Sequence, residues 1–269
     1  MKLVFTTTVL LTVLGQGARA ATITFPNGAV TETITQAGNS NSPSTNLAYG
    51  TTGNSQYSGG PGTFALGSID MTTGQLKAAA VSTASLIGDA NGYEFLAFSK
   101  ASTISFSFTI GGTMGASGFG DYALMYGFLN LMDVTNVNQF FNPNGTPTTA
   151  ALANLIGSAT VNAQTVGAGM TCTQGTAAQD CYVDSTGVLI PITKTGLGSA
   201  SVLPGHIYMI VLHLVADTET LNGSQAMKTS DFSHTATVAF TDLGGNTFTS
   251  ESGQFLSGAA AVPEPSTGL

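Results

Sequence analysis

Two groups of residues in this chain are of the types that carry chemistry. Three histidines, His206, His213 and His234, fall in its last third. If the strands holding His213 and His234 pair, the two imidazoles come within reach of each other and one could act as a general base. The competing reading is two separate strand histidines, because geometry rather than residue type makes a catalyst. His206 follows Pro204-Gly205 and reads as a surface residue at a turn. The second group is acidic. Asp217 and Glu219 end one apolar run, Asp231 precedes another, and Asp180 and Asp184 flank Cys181. Calcium takes about six to eight oxygens from converging loops. Asp217, Glu219 and Asp231 are the calcium candidates, on condition that one end of the fold gathers them. No D-x-D-x-D-G spacing accompanies them, and the alternative is solvated loop charge.

The familiar catalytic motifs are missing. There is no H-E-x-x-H for zinc. Gly115-Ala-Ser117-Gly118 does not complete a G-x-S-x-G elbow. Gly118-Phe-Gly120 lacks the third glycine of a dinucleotide loop. No two acids stand out as a glycosidase pair. Tyr49, Tyr57 and Tyr122 could stack on a sugar, although such tyrosines more often pack on strands, and Trp is absent. Cys172 and Cys181 are the only cysteines. In an exported chain a close pair reads as a disulfide. Closing so short a loop contributes roughly 2–3 kcal/mol in the entropic model.

These residues sit on a chain patterned for strands. Ile104, Phe106, Phe108 and Ile110 alternate without error with Thr103, Ser105, Ser107 and Thr109. Period two means one buried face and one wet face. The glycines at 111–112 and 115–120 read as the end of that run. Residues 122–134 are apolar on both faces, which suits a strand buried on both sides, with a buried helix as the rival reading. The segment 75–84 leans to strand in spite of its alanines, and 149–156 allows one or two helical turns stopped by Gly157. Pro191 inside the run 187–194 argues for an edge strand. Residues 199–203, Pro204-Gly205 and 206–216 read as a hairpin, and 233–241 turns through Asp242–Asn246 into 247–250. Regular strands, Gly/Pro turns and at most one short helix predict an all-β, antiparallel β-sandwich or jelly-roll-like domain.

Composition narrows the partners. Charged residues are 7%, against roughly 25% in an ordinary soluble domain, and Gly, Ser, Thr and Asn fill the gap. The net charge is −8. A nucleic-acid partner is excluded for want of a Lys/Arg footprint. An anionic lipid surface is disfavoured on the same ground. An acidic surface can attract cations such as calcium.

The two ends carry addresses. Met1-Lys2, the apolar run Leu3–Leu14 and Ala18-Arg19-Ala20 before Ala21 form a three-part secretory signal with an A-x-A cleavage site, so Sec export machinery and signal peptidase are implied. Cleavage there removes Lys2 and Arg19 and leaves four lysines against fourteen acids, a net charge of −10. Near the other end stands Val262-Pro263-Glu264-Pro265-Ser266-Thr267. A secretory start with this box resembles the PEP-CTERM family of exported bacterial proteins. In that family the box is followed by an apolar span and an Arg-rich end, together read by the protease-transferase exosortase. Gly268 and Leu269 suit the start of such a span, and the expectation is that it continues past Leu269. The stretches Gly198–Tyr208, Asp231–Val238 and Glu251-Ser-Gly253 are similar to the β-domain that often precedes the tail in this family.

The resulting organisation is a signal peptide at 1–20, a loop-rich N-terminal arm at 21–62, a β-sandwich at 63–258 and a linker with the sorting box at 259–269. The arm is expected to be poorly anchored or to supply an edge strand. The resemblance implies a non-enzymatic protein, secreted or held at the cell surface of a Gram-negative bacterium. It also implies transient membrane anchoring if the span exists, and association with exopolysaccharide or biofilm matrix. Val262, Pro263, Glu264 and Pro265 would be the sorting residues. Two alternatives stand beside it: an extracellular carbohydrate-binding module, and a hydrolase with an unrecognised site.

Overall fold

A computed structural model describes residues 25, 29–39, 41, 43–142, 146–167, 180–183, 186–220 and 225–257. Ala18, Ala20, Ala21, Cys172 and the box Val262–Pro265 lie outside the described residues. In chain order the elements are β1 (Glu32–Asn39), β2 (Ser44–Tyr49), β3 (Thr52–Gly60), β4 (Thr63–Asp70), β5 (Gln75–Ser82), β6 (Leu86–Phe98), β7 (Ser102–Ala116) and β8 (Asp121–Asp133). Then follow α1 (Thr149–Leu152), β9 (Leu155–Val166), β10 (Asp180–Val183), β11 (Ile190–Val202), β12 (Tyr208–Thr220), β13 (Lys228–Asp242) and β14 (Phe248–Ser250). Strands dominate and pair antiparallel in two sheets, apart from the short parallel β9–β10 pair. The larger sheet runs β10-β9-β8-β12-β6-β1-β2, with β14 on the end of β6; the smaller runs β11-β7-β13-β5-β4-β3. The fold is an antiparallel β-sandwich, with one short helix among the described residues. Among the described residues no helix is long and apolar enough to cross a membrane.

The core lies between the sheets. The alternation in β7 aims Ile104, Phe106, Phe108 and Ile110 inward, where they meet Ile210, Leu212 and Leu214 of β12. Each of those seven side chains is fully buried, worth roughly 1.5–3 kcal/mol apiece in area removed from water. A second apolar cluster forms on the opposite, outer face of the larger sheet. There Tyr93 and Phe95 of β6 and Met209 and Val211 of β12 are covered by Phe140, Phe141 and Ala151 from the β8–β9 connection. The Thr148 hydroxyl caps α1 by accepting from the Ala151 N–H at 3.2 Å.

Several local expectations change in three dimensions. The arm is no loose appendage: β1 pairs with β2 on one side and β6 on the other, inside the larger sheet. Its buried inner face is polar, which hides it in the sequence. Thr33 Oγ1 donates to the Thr52 carbonyl at 3.1 Å, and the Thr35 and Ser55 hydroxyls share a hydrogen bond at 2.9 Å. Hydroxyls satisfied this way can be buried at little cost. The Pro204-Gly205 turn makes no hairpin either, since β11 belongs to the smaller sheet and β12 to the larger. The same holds for Asp242–Asn246, which carries the chain from β13 to β14 in the other sheet.

The glycines at 111–112 do not end β7, which runs on to Ala116. Gly112 instead lets the backbone of Asp231 and the ring of Phe232 approach where a Cβ would collide. β8 is fully buried on one face only, with Tyr126 on the other left 37% exposed. α1 is a single turn, and Gly157 lies inside β9 rather than closing a helix. Pro191 does mark an edge, because β11 is the outermost strand of the smaller sheet.

Candidate functional site

The outer face of the larger sheet carries a connected group of polar and aromatic side chains. Leu212 and Leu214 point into the core, so His213 between them points out. The strand register sets Phe128 of β8, His213 of β12 and Asn91 of β6 on one row, with Thr160 of β9 beyond. The next row is Asn162, Tyr126, Val215 and Asp89. Strands stand about 4.8 Å apart, so each row is about 14 Å long.

The group is knitted together. His213 Nε2 lies 3.0 Å from Asp89 Oδ1, and Asn91 Nδ2 donates to the same oxygen at 2.7 Å. A carboxylate accepts only, so Nε2 carries the hydrogen that His213 donates. The Phe128 ring meets the imidazole edge-on with centroids 5.0 Å apart, and Tyr126 does so at 6.1 Å. Tyr126 and Phe128 are 5.5 Å apart. Burial pushes the Tyr126 phenol up, keeping it a neutral donor. Beside the rings, Ser158 Oγ donates to Asn130 Oδ1 at 2.6 Å, and Asn162 Oδ1 is buried without a hydrogen-bond partner. The result is a band of rings flanked by amides, hydroxyls and one carboxylate, groups that can stack on a ring and exchange hydrogen bonds with hydroxyls.

Of the sequence-predicted site residues, His213 belongs to this band, without the partner expected for it. β12 and β13, which carry His213 and His234, lie in different sheets and do not pair. The proposed imidazole pair therefore lacks the strand pairing it required. The calcium candidates are not gathered either. Ala216 and Phe232 both point into the inter-sheet core. Asp217 and Asp231, their sequence neighbours, thus face away from it on opposite sides of the sandwich. Asp217 and Glu219 share one face, and Tyr122 hydrogen-bonds to Glu219. Burial first, then the charges of Glu219 and Asp217, pushes the Tyr122 phenol up. Among the described residues no three His, Cys, Asp or Glu side chains are placed to hold a metal ion.

The three tyrosines also scatter. Tyr49 ends β2, Tyr122 starts β8 with three strands between them, and Tyr57 belongs to the other sheet. Cys181 of β10 is disulfide-bonded. His206 Nδ1 contacts Asp133 Oδ2 at 2.7 Å. Burial alone would raise the Asp133 carboxyl, but hydrogen bonds from Thr135 and His206 hold it below the usual carboxylate range.

Sequence reasoning missed Asp89 and Asn91, which lie in an unremarkable run of β6. It also missed a buried acid. Glu94 is fully buried and accepts from the Phe95 N–H at 2.8 Å and from the Ser252 hydroxyl. Thr31 Oγ1 lies 2.9 Å from Glu94 Oε1 and 2.8 Å from Glu251 Oε2. Burial raises the Glu94 carboxyl, opposed by hydrogen bonds from Ser252, Phe95 and Thr31. This cluster ties the segment before β1 to the turn after β14. No local motif could have announced it, since Thr31 lies 63 residues from Glu94 and 220 from Glu251. Compared with family models, curated proteins and solved structures, the chain matches none of them.

Proposed function

We propose that this chain is an exported, non-enzymatic surface protein of the PEP-CTERM type, which binds neutral extracellular polysaccharide through the outer face of its larger sheet. The observation that carries the binding half is the band made by Tyr126, Phe128, His213, Asp89 and Asn91. Aromatic faces take the C–H side of a sugar ring, and flanking amides and carboxylates take its hydroxyls. The export half rests on the leader Met1–Ala20 and the box Val262–Pro265. The disulfide at Cys181 suits an oxidising compartment outside the cytoplasm.

Affinity electrophoresis of the purified chain through gels holding neutral polysaccharides tests the binding half. Retardation is expected, and a double variant Tyr126→Ala/Phe128→Ala should weaken it by at least about tenfold while Tyr49→Ala leaves it intact. Free mobility in every gel would end that reading. Cell fractionation with N-terminal sequencing tests the export half. The product should begin at Ala21 outside the cytoplasm; an uncleaved cytoplasmic chain starting at Met1 would overturn it.

A further inference from the structure

Lys228 is the one buried lysine among the described residues. It opens β13 in the smaller sheet, and Asp121 opens β8 in the larger. Both strands are interior: β13 lies between β7 and β5, and β8 between β9 and β12. The Asp121 backbone is fixed further, its carbonyl accepting from the Gly167 N–H at 2.9 Å and its N–H donating to the Gly118 carbonyl at 3.1 Å. Sheet pairing thus holds an amine and a carboxyl face to face, with Nζ 3.8 Å from Oδ1 and neither side chain reached by solvent.

As an ion pair the site is incomplete. Neither Asp121 oxygen has a hydrogen-bond partner, nor has the fully buried Thr165 hydroxyl. Thr165 of β9 stands opposite Ala123, so it faces the same inter-sheet space, diagonally from Asp121. Two charges kept in such a place are costly unless their remaining hydrogen-bonding capacity is met. Burial holds the Lys228 ammonium below the usual lysine range, which favours the free amine, the nucleophilic form.

We propose that Lys228 and Asp121 condense to an intramolecular amide that joins the two sheets covalently. The ion pair of the folded chain is the reactant. A proton passes from Nζ to the carboxyl, the freed Nζ lone pair forms a bond to Cγ, and one Cγ–O bond breaks. Nζ gives up two of its three hydrogens in all, and these leave with one carboxyl oxygen as water. The two opposite charges cancel, and no oxidant or other co-reactant enters the balance. Packed strands hold the two groups near the contact of roughly 3–3.5 Å at which oriented partners react. The product suits the site better than the reactants. The hydrogen left on Nζ can stay on the Thr83 carbonyl, 2.9 Å away, and Thr165 supplies a hydroxyl for the amide oxygen. The new bond closes a ring that runs from β8 through β12. A cross-link over so long a loop strongly restricts the unfolded chain.

Intact mass spectrometry of the purified, folded chain, denatured and reduced just before measurement, tests the proposal. The expected mass is one water below that of the sequence. A proteolytic digest should yield a branched peptide joining residue 121 to residue 228. Lys228→Met and Asp121→Ala should each restore the full mass, a readout that needs no folded variant. Lys77→Met, which leaves the pair in place, should keep the deficit. A full mass in the folded parent, or a missing water that maps to other residues, would overturn the proposal.

Discussion

Lys228 and Asp121 face each other across the sandwich, Nζ to Oδ1 3.8 Å apart, one from each sheet and both fully buried. Nζ also donates to the Thr83 carbonyl at 2.9 Å and the Ala226 carbonyl at 3.3 Å. Burial holds the Lys228 ammonium below the usual lysine range, and the charge of Asp121 works against that shift. Neither Asp121 oxygen has a hydrogen-bond partner, so the lysine is the charge that compensates it.

Lys228→Met should therefore cost about 3–5 kcal/mol in urea denaturation, because it strands a buried carboxylate. The double variant Lys228→Met/Asp121→Leu should recover much of that loss. A single variant no worse than the double would show that the pair is not coupled.

Asp217 supplies a pH signature. Burial first, then the negative charge of Glu219, pushes its carboxyl up from 3.8 to about 6, opposed by the Thr218 N–H. The folded protein then holds this proton more tightly than the unfolded chain. The associated stability is complete below about pH 3.8 and is lost as pH rises through about 6. Asp217→Asn should match the parent's melting temperature near pH 4 and exceed it above about pH 7. A difference independent of pH between those limits would contradict the assignment.

The sheets touch backbone to backbone where β4 crosses β6. A Cβ on Gly67 would overlap the Asp89 carbonyl oxygen, and one on Gly88 the Leu66 carbonyl oxygen. Gly67→Ala should lower stability by about 3 kcal/mol or more, at the upper end for overpacking. Gly205→Ala, with open space around it but φ at 81°, should cost only about 1 kcal/mol. Equal losses at the two positions would mean that the sheets separate to accept the methyl group.

Tyr208 anchors the sheet-crossing turn. Its hydroxyl oxygen accepts from the Leu203 N–H at 2.7 Å, five residues back along the chain. Its ring packs on Phe98 at 5.5 Å. Tyr208→Phe keeps the ring and removes the bond, so a loss of about 1 kcal/mol is expected by chemical denaturation. A neutral outcome would show that water satisfies Leu203 equally well.

Much of the fold was legible in the chain. The alternation from Ile104 to Ile110 needs no tertiary information, because side chains on a strand must point to opposite sides. Pro191 marked its edge for an equally local reason, the missing N–H. The candidate site was far less legible. Tyr126 and Phe128 could be assigned to a strand, but His213 and Asp89 are 124 residues apart and meet only because β12 and β6 are neighbours. Local composition carries no record of that adjacency.

Periodicity and turn residues thus determined that this chain forms strands, and its two ends suggested where it travels. Only the tertiary structure decided which sheet each strand joins. A turn such as Pro204-Gly205 reverses the backbone on local sterics alone, whereas the choice of sheet depends on which distant apolar faces can be buried together. That choice set His213 and His234 in different sheets, turned Asp217 and Asp231 to opposite sides, and left β3 with its outer edge open.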